Sequence, residues 1–193
     1  MTNTKVRTIA LAAGLLLVAS GGLHAQTPAP QAISPVATPL PAANPADVQS
    51  VDAIIAALYD VISGPVGQKR DWVRMRSLFV PHARMMPVGP RPNGSLAIRL
   101  MEVNDYIATS GPYLEANGFR EREIARRTDQ FGHIVHVWST YEGRTETDST
   151  VLRGINSIQL MNDGTRWWVV AIYWEHERPD MPLPAQYLPA ARP

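Results

Sequence analysis

The chain of 193 residues contains no cysteine. Disulfide staples, thiol catalysis and thiolate metal ligation are therefore excluded, and the fold must be stable on its core alone. Long apolar runs are also missing: the longest, Ile9 to Val18, falls well short of the roughly 20 residues a membrane span requires. With 18 basic against 17 acidic residues there is no large field of one sign for nucleic acid or anionic lipid. Catalytic signatures are absent too. No GxSxG elbow orders Ser139 or Ser149 with Asp129 or Asp148, no HExxH helix occurs, and the Gly89 to Gly94 loop is broken by two prolines and opens no helix. His133 and His136 are three apart on a predicted strand and so point to opposite faces; no metal and no cofactor is expected.

What is present begins with an address. Lys5 and Arg7 precede the apolar run, and Leu23-His24-Ala25 ends in a small residue, which predicts a signal peptide over residues 1–25 with cleavage after Ala25. The expected location is the periplasm or the exterior, with no membrane attachment after cleavage. Loss of Lys5 and Arg7 leaves 16 basic against 17 acidic residues, a formal charge of −1. Residues 26–47 are almost all Pro, Ala, Thr and Gln and read as a disordered linker, because such a composition cannot offset its chain entropy by burying apolar surface. A domain over residues 48–177 and an extended Pro-rich tail over 178–193 complete the expected organisation.

Within the domain, Val51, Ile54, Ile55, Leu58 and Ile62 fall on one side of a helix, with Ser50 or Asp47 as N-cap and Gly64-Pro65 as the stop. A short helix over Asp71 to Phe79 follows, then strands over Ala83 to Val88 and Leu96 to Met101, and a helix from Asn104 to Glu115. Phe119 to Thr128 and Ile134 to Arg144 read as long strands. The arginines of Arg120-Glu121-Arg122-Glu123 and Arg126-Arg127, interleaved with acids, read as a solvated strand surface. Asp163-Gly164, flanked by runs of β-branched and aromatic residues, predicts a hairpin. With those two as turn residues, Leu160 faces Trp167, Ile158 faces Val169 and Asn156 faces Ala171, sharing a face with Tyr173 and Glu175. The order ααββαββββ argues for an α+β fold, a bent antiparallel sheet with about three helices on its concave side.

The helix ending before Leu78-Phe79, the strand Phe131-Gly132-x-Ile-x-His-Val-Trp-Ser-Thr-Tyr-Glu and the Asn-Asp-Gly hairpin ending in Trp167-Trp168 resemble the nuclear transport factor 2-like superfamily, in particular its SnoaL-like bacterial members. That resemblance covers about Val48 to Glu177 and implies a cone, open at one end, with a pocket between sheet and helices. The steroid isomerases of the superfamily carry a base carboxylate just before a Pro-Val-Gly; here the position is Met86, which cannot take a proton from carbon. Their helical phenol falls near Ile54 rather than at Tyr59 when Ala56-Ala57-Leu58 is aligned with their helix.

Two functions follow as expectations. One is a module that binds a small apolar ligand or works through dimerisation, with Met86, Trp138, Asn156 and Tyr173 as ligand-binding residues. The alternative is a small lyase, isomerase or cyclase using one acid-base group, His136 or Glu175, in an apolar pocket. Because both faces of the hairpin are apolar and the helices can cover only one, the chain is expected to form a homodimer through its sheet, a habit the resemblance also implies.

Overall fold

The computed structural model describes residues 40–189. The predicted signal peptide and most of the linker lie outside those residues. A one-turn helix α1, Pro45–Val48, leads into α2, Val51–Ile62, and the Ser50 hydroxyl caps α2 by accepting from the Ala53 amide at 3.0 Å. Asp47, the other cap candidate, instead holds the Arg74 guanidinium through both of its carboxylate oxygens. Helix α3, Trp72–Ser77, is followed by strands β1, Phe79–Pro90, β2, Leu96–Ile98, and β3, Met101–Glu102. Helix α4, Val103–Asn117, then delivers the chain to β4, Phe119–Phe131, β5, Ile134–Thr145, β6, Val151–Asn162, and β7, Trp167–His176. A short 3₁₀ turn, Ala185–Tyr187, lies in the tail.

The strands form one open sheet in the order β2-β1-β7-β6-β5-β4, with β3 also paired to β1. All neighbours are antiparallel except β1 and β7, which run parallel because the long excursion through α4, β4, β5 and β6 separates them. The architecture is the expected α+β one, a mixed unclosed sheet with helices against one face. Ile54, Ile55 and Leu58 of α2 are buried against Val137, Ile158, Leu160 and Val169 of the sheet. The α2 exit is locked to the sheet: Gly64 exchanges backbone bonds with Phe119, and Ser63 Oγ accepts from the Glu121 amide at 2.9 Å. Below it, Arg70 spends its guanidinium on the carbonyls of Ile62, Gly64, Gln68 and Leu114, fixing the turn between α2 and α3 to the end of α4.

The hairpin register differs from the sequence expectation. The turn takes four residues, so Asn162 rather than Leu160 faces Trp167, and Asp163 caps it by accepting from the amides of Thr165 and Arg166 and from the Trp168 indole. Gly164 supplies the positive φ of +96°. A bulge then separates the Gln159–Ala171 and Leu160–Val169 pairs, leaving Val170 extra. One extra residue exchanges the faces of everything beyond it. Trp167 and Val169 face the helices as expected, but Tyr173 and Glu175 turn to the outer face, and Ile172 and Trp174 turn in.

Candidate functional site

A chamber of about 490 Å³ lies between α2, α4 and the helix-facing side of the sheet. Leu58, Ile62, Met75, Met85, Leu114, Phe119, Leu152, Ile158, Ile172 and Trp174 make most of its wall, with no lysine or arginine among the lining residues. Its polar groups are Tyr59 from α2, Tyr106 from α4, Glu121 from β4, Tyr141 from β5, Asn156 from β6 and His176 from β7, with Thr109, Ser110 and Tyr113 along α4. This is the size and composition of a small-molecule site.

Glu121 reaches the chamber by strand alternation. Phe119, Glu121 and Glu123 share the inner face of β4, whereas Arg120 and Arg122 point outward and pair with Glu146 and Glu142. Gly143 stands opposite Glu121 and makes room, since a Cβ there would lie 2.7 Å from the Phe119 ring. Burial in this apolar wall pushes the Glu121 carboxyl up to about 8, and the Asn156 amide beside it offsets only part of that rise. Among the described residues no cation forms a salt bridge with Glu121. At pH 7 it is therefore a neutral acid, able to donate a proton to a ligand or, once ionised, to take one.

The neighbouring groups are ordered by hydrogen bonds. Glu123, held by Arg126, accepts from Ser139 Oγ; Ser139 Oγ lies 2.6 Å from the Tyr59 hydroxyl, which accepts from Asn156 Nδ2 at 3.1 Å. Tyr141 bonds His176 Nδ1 at 2.7 Å, passing over Gly154, where a Cβ would sit 2.3 Å from the Tyr141 oxygen. Burial raises the phenol pKa of Tyr59, Tyr106 and Tyr141 and lowers that of His176, so all four are uncharged at pH 7.

Of the residues expected from sequence, Asn156 is on the chamber wall. Met86, Trp138 and Tyr173 are not: Trp138, Ser157, Tyr173 and Met86 are successive cross-strand partners in one row on the outer face. His136 is on that face too, bonded to Ser157 at 2.8 Å and edge-on to Trp138, and Glu175 pairs with Arg178 there. The displacement of Tyr173 and Glu175 follows from the Val170 bulge; Met86 is displaced because Met85 is the β1 residue that faces the chamber. Tyr59, which the alignment with the steroid isomerases set aside in favour of Ile54, points its hydroxyl into the chamber, and Ile54 is core. Glu121, Tyr106 and Tyr141 were missed. Strand alternation from the apolar Phe119 would have turned Glu121 inward. No cluster of three or more metal-ligating side chains occurs among the described residues.

The sequence matches no protein-family model and no curated protein. Solved structures do match. A protein of unknown function with a cystatin-like fold from Nostoc punctiforme shares 12% identity over 70% of this chain and 94% of its own, with a TM-score of 0.51. LinA shares 11% over 75% and 93%, with a TM-score of 0.51. An NTF2-like protein of unknown function from Methylobacillus flagellatus shares 16% over 67% and 95%, with a TM-score of 0.44. The fold is shared with the Nostoc punctiforme protein and with LinA. At these identities the likeness defines the fold alone.

Proposed function

We propose that the domain binds a small, mostly apolar molecule in the chamber and engages it through Glu121. The observation that carries this reading is a carboxyl without a cationic partner in an apolar wall, where a residue without a task would be replaced by a hydrophobic one at a gain in stability. The finer likeness to SnoaL-like proteins is part of the same proposal. Native mass spectrometry of protein purified from its own host tests it: a co-purifying small molecule lost in Ser110→Trp, which fills the chamber from α4, supports the reading. A bare polypeptide mass together with failure of apolar probes to bind contradicts it.

The alternative of a lyase, isomerase or cyclase is favoured by the same carboxyl, because an acid with a pKa near operating pH is suited to proton transfer. Glu121 takes the role first given to His136 or Glu175, which lie on the outer face. Export to the periplasm and a homodimer are further parts of the proposal. The first is supported by the basic and apolar start of the sequence, and N-terminal sequencing of the native protein should find Gln26 at or near the first position. The second is supported by the outer face, where Val170 and Tyr173 are 38% and 44% exposed beside Ile155 and Trp168.

A further inference from the structure

A ligand must complement the hydrogen-bonding groups that the protein has left unused, and around Glu121 each of those can accept a hydrogen bond. Tyr59 is satisfied on both sides: Glu123 takes the Ser139 hydrogen, so Ser139 Oγ takes the Tyr59 hydrogen, and Asn156 donates to the Tyr59 oxygen. Tyr141 and His176 Nδ1 satisfy one another at 2.7 Å, the direction being set by the imidazole tautomer. Asn156 gives an amide hydrogen to Tyr59 and turns the same amide toward Glu121, and its carbonyl oxygen has no hydrogen-bond partner among the described residues. Tyr106 has no hydrogen-bond partner among the described residues and stands edge-to-face with Trp174 at 6.3 Å. What faces a ligand here is the Glu121 carboxyl, the Asn156 carbonyl oxygen and the Tyr106 hydroxyl, walled by aromatic faces and with no lysine or arginine.

We infer that the chamber takes an apolar amine, whose ammonium group sits between Glu121, the Asn156 carbonyl oxygen and the aromatic wall. This deepens the binding proposal above and rests on it. An ammonium brings three donors to acceptors that lack them, supplies the counter-charge that Glu121 lacks, and is favoured by the faces of aromatic rings. A carboxylate or phosphate ligand would meet a carboxyl and no cation. Protons balance in the following way: ammonium and protonated Glu121 give an ammonium–carboxylate pair, and one proton leaves to solvent.

The other groups that face Glu121 do not mimic this titration. Tyr59, Tyr106 and Tyr141 hold their protons more tightly than free phenols, Asn156 does not titrate, and His176 is neutral well below pH 8. Glu123, two residues along the strand, is neutralised by Arg126.

The experiment is calorimetric titration of the full mature chain with 1-adamantylamine, 1-adamantanol and adamantane-1-carboxylate from pH 6 to 9, in two buffers of different ionisation enthalpy. For the amine, affinity should rise about tenfold per pH unit up to about pH 8 and then level, with close to one proton released per molecule bound at pH 7. The alcohol should bind with a flat profile that falls above pH 8, and the carboxylate should bind least. In Glu121→Gln the amine should lose its slope and at least about tenfold in affinity at pH 8, while a cooperative urea transition shows that the variant is folded. Alcohol binding without amine preference, or an amine slope that survives Glu121→Gln, overturns the amine assignment and leaves the chamber reading standing. Failure of all three probes to bind overturns both.

Discussion

Glu121 is the residue on which stability and function pull in opposite directions. Its folded pKa of about 8 stands above the ordinary 4.5, so the protonated form is the one favoured by folding. Its contribution is fully present below pH 4.5 and is lost as pH rises toward 8, since the unfolded chain ionises first. Between pH 4.5 and 7 the loss is on the order of 3 kcal/mol, an upper bound because water entering the chamber screens the charge. Glu121→Gln is therefore expected to leave stability at pH 4 nearly unchanged and to raise it at pH 8, which urea denaturation at the two values would measure. Equal stabilisation at both would mean that the carboxyl is not desolvated. Gly154 sets a second residue-level constraint. A methyl group there would meet both the Tyr141 hydroxyl and the Glu175 backbone oxygen at 2.3 Å, and backbone cannot yield cheaply. Gly154→Ala should cost roughly 2–3 kcal/mol and break the Tyr141–His176 bond, lowering the denaturation midpoint.

At the scale of elements, the ends of α2 and α4 and the hairpin were legible because apolar periodicity and punctuation agree there, whereas β1 begins at Phe79 rather than Ala83 and the expected Leu96 to Met101 strand is two short ones. Ser50, Gly64-Pro65 and Asn117-Gly118 bracket helices, and Asp163-Gly164 marks the hairpin, within a residue or two of where the chain turns. The half of β6 that carries Asn156, Ile158 and Leu160 could be assigned to the inner face because nothing interrupts its alternation. The second half of β7 could not. A bulge is a tertiary compromise between neighbouring strands, and Val170 carries no glycine or proline to announce it, so Tyr173 and Glu175 went to the wrong side. Glu121 was hidden differently. A charge beside arginines reads as solvated, and only the three-dimensional fact that β4 closes a chamber turns it into a half-buried acid on an apolar wall. At the joint between α2 and β4, beside the Gly64–Phe119 backbone pair and the Arg126–Asp52 ion pair, Ser63 accepts from Glu121 N and donates to Tyr59 O. Ser63→Ala should cost about 1 kcal/mol. Because it loosens both residues that frame the polar end, it should also weaken apolar-probe binding, whereas unchanged binding would show that the strand holds Glu121 without it.

For the whole molecule the question is what lies over the outer face of the sheet. The tail takes part of it: Thr140 Oγ1 donates to the Tyr187 carbonyl at 2.6 Å, and the Tyr187 ring packs on Trp138 with Arg127 over it. Val170 and Tyr173 on the β6–β7–β1 portion stay exposed, and the proposed second copy would sit there. A two-fold contact there is self-complementary without further design. Sedimentation of the mature protein and of a version ending at Glu177 separates the contributions. Dimers in both assign the cover to pairing; a full-length monomer whose truncated form aggregates assigns it to the tail.

The proposed site stands or falls on whether a carboxyl in the chamber stays protonated at neutral pH. Carbon-detected NMR of the side-chain carboxyl carbons, with Glu121→Gln used to assign the resonance, reads this directly. The prediction is one glutamate titrating near pH 8, far above the others, and moving to lower pH when an apolar amine is bound. A Glu121 resonance titrating near 4.5 in the free protein would contradict it and remove the basis for placing the function in this chamber.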